Sequence, residues 1–123
     1  MTSKDRSIIS TERAPKAIGP YSQGVRTGEA LYLSGQIPLD PLTGEIVTGD
    51  IATQTRRVFE NIKAVLEAAG ASFGDVVRVG IYLTDLGNFT AVNDVMKQYF
   101  AEPYPARSTI GVSALPRGAA VEI

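Results

Sequence analysis

The chain has 123 residues, 44% of them hydrophobic and 20% charged, which suits one soluble globular domain over 1–123 with a sizeable core. Twelve Lys and Arg against thirteen Asp and Glu leave a formal charge of -1, so there is no electrostatic footprint for nucleic acid or an anionic membrane. Cys and His are both absent, which excludes disulfides, thiol nucleophiles, thiolate metal sites, an imidazole base and a Ser-His triad.

The start, Met1-Thr-Ser-Lys-Asp-Arg, is polar and resembles no signal peptide, and residues 1–7 read as a frayed end. No apolar run has the length of a membrane span, so a cytoplasmic location is expected. Ser7-Ile8-Ile9-Ser10 reads as a short strand and Arg13 to Ala17 as a loop. Ile18-Gly19-Pro20-Tyr21-Ser22 is a turn that delivers a Tyr. Gln23 to Arg26 and Ala30 to Gly35 read as a hairpin closed by Thr27-Gly28-Glu29, with Leu31 and Leu33 on one face and Tyr32 and Ser34 on the other.

Pro38 to Gly49 is a loop rich in turn residues, and Asp50 stands where a helix N-cap belongs. From Ile51 the spacing predicts a helix whose stripe is Val58, Ile62, Val65, Leu66 and Ala69, ended by Gly70 in the C′ position. Val76 to Leu83 is the strongest strand. Val77, Val79, Ile81 and Leu83 share one face; Arg78, Gly80 and Tyr82 share the other. Asn88 is the expected cap of a second helix with Val92, Met96, Tyr99 and Phe100 as its stripe. Pro103 and Pro105 stiffen the approach to a strand over Ala106 to Val112, and a last strand ends the chain at Ile123.

This order predicts an α+β sandwich, a mixed β-sheet with two helices on one face. If Ser108, Ile110 and Val112 pack under the helices, Arg107 projects from the far face with Glu122. A hairpin centred on Leu115-Pro116 would then set Glu122 opposite Thr109 and diagonal to Arg107, at roughly 7–8 Å between Cβ atoms. Tyr32, Ser34, Arg78, Gly80 and Tyr82 share that far face, which two helices cannot cover. Further subunits are the expected cover, giving a homo-oligomer with polar pockets between chains. Only Ile123 follows Glu122, so the expectation is either that the last strand frays or that the sequence is a truncated form, and in both cases that Glu122 is held loosely.

The candidate chemistry rests on Arg107, a planar fork suited to a carboxylate, and Glu122, which could orient or deprotonate water. Taken singly, a surface Arg, a structural ion pair and a strand-end charge are the commoner readings of these residues. Tyr21 serves equally as pocket wall or interface residue. Ser34 and Gly35 divide evenly between a ligand-binding strand end and a plain turn. Asn93 could donate to a ligand, though a solvated helix amide is commoner. No carboxylate cluster has a metal-loop spacing, so no metal is expected.

Ile18-Gly-Pro-Tyr-Ser-Gln-Gly, Leu33-Ser-Gly-Gln-Ile-Pro, Asn61-Ile-Lys-Ala-Val-Leu-Glu-Ala-Ala-Gly, Tyr104-Pro-Ala-Arg-Ser and Leu115-Pro-Arg-Gly-Ala-Ala-Val-Glu-Ile together resemble the RidA-type reactive intermediate deaminases, in order and over nearly the whole chain. The resemblance implies a chorismate-mutase-like fold, a homotrimer with clefts between subunits, and no cofactor. It implies hydrolysis of 2-iminobutanoate and 2-iminopropanoate to 2-oxo acids and ammonia, protecting pyridoxal-phosphate enzymes. By motif, Arg107 would hold the substrate carboxylate and Glu122 would position or activate water. Tyr21, Ser34, Gly35 and Asn93 would line the cleft, with the Thr109 backbone adding hydrogen bonds. Thr109 stands where many members carry Cys, a change that a backbone role survives. A non-enzymatic small-carboxylate-binding or regulatory trimer is the alternative. The RNA cleavage attached to some relatives is disfavoured by the pI of about 5.4 and the absence of His.

Overall fold

The computed structural model describes residues 5–123; the part of the frayed-start expectation that concerns residues 1–4 lies outside them. Strands β1 (Ser7–Ile9), β2 (Gly24–Thr27) and β3 (Ala30–Leu33) form an antiparallel sheet in that order. A second sheet has the order β5-β4-β6, from β4 (Arg78–Leu83), β5 (Ala106–Gly111) and β6 (Val121–Glu122). β4 runs parallel to β5 and antiparallel to β6. The two sheets meet where Gln36 and Ile123 exchange backbone hydrogen bonds of 2.8 and 3.1 Å. Helices α1 (Ile51–Ala68) and α2 (Phe89–Tyr99) complete the α+β architecture.

Helix α1 starts as its sequence dictates. The Asp50 carboxylate accepts from Thr53 N–H at 2.8 Å, and that bond holds its pKa below the ordinary carboxylate value. Gly70 follows the last turn at φ +76°, a left-handed conformation that glycine adopts without a Cβ penalty. Helix α2 starts differently from the expectation. Asn88 makes no side-chain capping bond; a short 3₁₀ turn over Leu86–Asn88 precedes the helix, and Asp85 caps it by accepting from Gly87 N–H at 2.8 Å.

Val79, Ile81 and Leu83 of β4 and Val121 of β6 pack against Val58 and Phe59 of α1 and Val92, Val95 and Met96 of α2. Phe59 stacks on Tyr99 at 5.1 Å between centroids, with Phe73 and Phe100 edge-on around them. Burial and a 2.8 Å bond to Glu60 push the Tyr99 hydroxyl up to about 12, so it stays a donor. Val77 departs from the alternation. It precedes β4 and is 81% exposed, while its carbonyl accepts from Ala106 N–H to start the parallel ladder.

Two buried amides fix the loops that flank the hairpin. Gln23 accepts from Thr11 N–H at 2.7 Å and donates to the Thr11 and Pro15 carbonyls at 3.0 and 2.8 Å. Asn61 is fully buried on α1, donates to Leu39 O at 2.9 Å and accepts from Arg57 Nε at 3.2 Å. Asn61→Ala strips the loop after Gln36 of its anchor and leaves the half-buried Leu39 carbonyl without this donor. We expect chemical denaturation to show a loss of about 2 kcal/mol in unfolding free energy.

The strand order overturns the expected β5–β6 hairpin. β6 pairs with β4, with Tyr82 opposite Glu122 and Leu83 opposite Val121, so β4 lies between β5 and β6. The facing of β5 is also reversed. Arg107 is level with the buried Val79 and Thr109 with the buried Ile81, whereas Ser108 and Ile110 are level with Gly80 and Tyr82. Paired residues point to the same side of a sheet, so Arg107 and Thr109 lie on the helix side and Ser108 and Ile110 on the open side. The apolar Ile110 is 49% exposed there.

Candidate functional site

Three of the sequence candidates meet at the edge strand β5. Arg107 Nη1 donates to Asn93 Oδ1 at 2.7 Å and lies 3.6 Å from Met96 Sδ. Its guanidinium sits over the Phe89 ring, 5.2 Å from the centroid, in a cation–π geometry. Phe89, Asn93 and Met96 follow one another at helical spacing, so one face of α2 holds the guanidinium. Among the described residues, no carboxylate pairs with Arg107. Two residues along, the Thr109 hydroxyl is buried without a hydrogen-bond partner. Ala106 and Val112 donate backbone bonds to β4, so Arg107, Thr109 and Gly111 turn their N–H and C=O groups outward from the sheet edge. This corner combines a cation, a hydroxyl and edge amides, a set suited to a carboxylate.

Ser34, Gly35 and Glu122 meet on the other side of the molecule. Gly35 allows the Glu122 carboxylate to approach: a Cβ there would overlap it, with Glu122 Cδ 3.1 Å away. The backbone around Glu122 is tied to Tyr82 on one side, and the next residue is tied to Gln36 on the other. That double attachment answers the expectation that the chain end would loosen Glu122. The Ser34 hydroxyl donates to Ser22 O at 2.5 Å, which commits its proton and leaves it an acceptor towards anything else. Through Ser22 this group adjoins Tyr21, which is half-exposed and whose hydroxyl accepts from Ile18 N–H at 3.4 Å.

Arg107 and Glu122, expected side by side, are therefore on opposite faces of one sheet and two strands apart, roughly 9–10 Å laterally. The reason is the crossing of β6 to the far side of β4. The pattern missed Phe89 and Met96, although their spacing from Asn93 was there to be read. Gln36, buried and bonded to Ile123, was also passed over. No group of three or more acidic side chains that could hold a metal occurs among the described residues, and no helix among them is long and apolar enough to cross a membrane.

The profile of the endoribonuclease L-PSP family matches residues 11–123. The chain belongs to this family, the RidA family of the sequence motifs. It is 54% identical to a RutC family protein of Pyrococcus abyssi, over 96% of this chain and 93% of that one. It is 52% identical to a 2-iminobutanoate/2-iminopropanoate deaminase of Dermatophagoides farinae, over 96% of this chain and 92% of that protein. Its fold superposes on that of E. coli TdcF with bound serine at a TM-score of 0.89 and 47% identity, covering 94% of this chain and 93% of TdcF. RidA relatives thus include a named imine deaminase and a protein holding a small amino acid.

Proposed function

We propose that this protein hydrolyses small 2-imino acids to 2-oxo acids and ammonia, as a homotrimer whose sites form between subunits, and so protects pyridoxal-phosphate enzymes from reactive imines. One observation carries the reading. The cationic corner at Arg107 and the carboxylate at Glu122 are each built and positioned, yet on opposite faces of one chain. A head-to-tail contact that closes in a ring would bring the Arg107 edge of one copy to the Glu122 face of the next. The open face has apolar surface to bury in that contact, with Tyr32 65% exposed on β3 and the paired Tyr82 and Ile110 exposed on β4 and β5.

The chemistry asks little of the site. The substrate is a carboxylate beside a protonated C=N carbon that is already electrophilic. Arg107, with the outward Thr109 amide, fixes the carboxylate, while Asn93 and Phe89 hold the guanidinium in place. Glu122 orients water and accepts its proton as oxygen bonds to the imine carbon. Glu122 returns that proton to the nitrogen of the resulting amino alcohol, and ammonia leaves as the C–N bond breaks, the C=O bond forms and the hydroxyl proton passes to water. Orientation and proton transfer through Glu122 account for the acceleration. Tyr21, Ser34 and Gly35 line the Glu122 side. The reaction occurs in the cytoplasm, where such imines arise.

The assay is direct. Imine released by a threonine dehydratase is trapped with semicarbazide, and the protein should reduce the trapped fraction. Unchanged trapping, together with saturable binding of 2-oxobutanoate, would favour a carboxylate-binding module. Gly35→Ala tests the geometry around Glu122. Displacing that carboxylate by about 1 Å should cost on the order of 10²-fold in kcat/KM, with the circular dichroism spectrum unchanged.

A further inference from the structure

Among the described residues, one buried side-chain oxygen has no hydrogen-bond partner, and it is the hydroxyl of Thr109. Buried hydroxyls are bonded as a rule, because a polar group taken out of water without a replacement bond raises the free energy of the fold. Thr109 lies on β5, level with the buried Ile81 and on the helix side of the sheet. Its neighbours on that side are both covered by apolar groups. Arg107 carries its guanidinium over the Phe89 ring, and Leu86 lies over Gly111, its Cγ 3.2 Å from where a Cβ would stand. Neither Phe89 nor Leu86 offers the hydroxyl a partner.

The residue as a whole is half-buried, and its N–H and C=O point outward at the sheet edge. One residue therefore has its backbone at the anion corner and its hydroxyl turned inward. A side chain in a strand has more than one common χ1 position. A turn about χ1 exchanges the hydroxyl with another substituent of Cβ and carries the oxygen out of its buried place without moving the backbone.

The corner has room for a further donor. A carboxylate offers about four lone-pair positions on its two oxygens. Arg107 Nη1 already donates to Asn93 Oδ1 at 2.7 Å. A fork of two guanidinium N–H groups and the Thr109 amide would fill three of those positions and leave one open. Arg107 and Thr109 are successive same-side residues, roughly 6.4–6.8 Å apart along the strand, so one carboxylate can bridge their side chains.

We propose that the Thr109 hydroxyl is a second carboxylate-binding side chain of this site, kept inward in the free protein and drawn out by the ligand. This role rests on the 2-imino acid reading of the corner and adds to it a group that acts through its side chain. Binding gains twice, from a new charge-assisted bond and from relief of the unpaired buried oxygen. A compound without the carboxylate gains neither, so Thr109 sharpens the preference for acids.

The test compares Thr109→Val, which keeps the shape and removes the hydroxyl, with Thr109→Ser, which keeps the hydroxyl. Without ligand, the Val variant should melt no lower than the parent, because it loses no bond. Its dissociation constant for 2-oxobutanoate, read by calorimetry, should rise by about tenfold or more. The Ser variant should bind like the parent. In the parent itself, three-bond NMR couplings to the Thr109 methyl carbon report χ1. They should move from one staggered value to another on saturation with 2-oxobutanoate. Val binding as tight as the parent's, an unchanged χ1 at saturation, or no saturable binding by the parent would each overturn the proposal. So would a Val variant that melts well below the parent, since its hydroxyl would already have had a partner. All these readouts are taken without turnover. A parent that binds 2-oxobutanoate but leaves the imine untouched removes the catalytic reading alone, and tight binding by an active Val variant removes the Thr109 role alone.

Discussion

Replacing Arg107 by Ala should lower kcat/KM for a 2-imino acid by about 10²-fold and leave the fold intact. The guanidinium is half of a charge-assisted pair with the substrate carboxylate, and such bonds contribute about 1.5–3 kcal/mol each. A loss near 3 kcal/mol corresponds to about two decades in rate at 1.36 kcal/mol per decade. The side chain is exposed, and its contacts within the chain are one bond to Asn93, the Met96 sulfur and the Phe89 ring, so the thermal midpoint should move little. Arg107→Lys keeps the charge but loses the fork and the stacking on Phe89, and should recover only about tenfold of the loss. The comparison that isolates the role is an imine lacking the carboxylate. The parent should prefer the 2-imino acid strongly, and the Ala variant should not. Turnover of the acid by Arg107→Ala at the parental rate would remove the carboxylate anchor from the mechanism.

Local structure was legible in the sequence because its causes are local. Asp50 followed by a stripe at helical spacing, Gly70 after the last turn, and the alternation of Val79, Ile81 and Leu83 each determine their own element. Asn88 misled because a 3₁₀ turn capped by Asp85 takes over the helix start. Strand order was not legible. A Pro-Gly stretch between two strands reads as a hairpin turn, but the connection carries Arg117 and Gly118 at φ of 60° and 70° and passes to the far side of β4. The facing of β5 failed for a related reason. Ile110 is apolar but lies on an open sheet face, whereas Arg107 lies on the helix side with its guanidinium over the Phe89 ring and against the Met96 sulfur. Apolar alternation identifies the two faces of a strand without saying which of them meets the helices. The distance between Arg107 and Glu122 thus depended on pairings that no local pattern encodes.

That separation makes the sharpest experiment a mixture. Glu122→Gln keeps the side-chain shape beside Gly35 but removes the proton acceptor, and should cost about 10²–10⁴-fold in rate. Arg107→Ala, with its intact Glu122, fails for want of the anchor. Neither protein alone should hydrolyse imine at more than a small fraction of the parental rate. If each site draws Arg107 from one copy and Glu122 from another, refolding the two variants together in equal amounts creates sites in which both residues are parental. Random assembly into a ring gives such sites at about one quarter of positions, so about one quarter of parental activity should return. If both residues acted within one chain, every chain in the mixture would lack one of them, and activity would stay at the level of the separate variants. Recovery requires subunit exchange, so mixing the folded proteins without refolding should restore activity only as fast as the rings dissociate. The size of the recovery therefore reports directly whether the two halves, which one chain holds on opposite faces of its sheet, are joined by a neighbour.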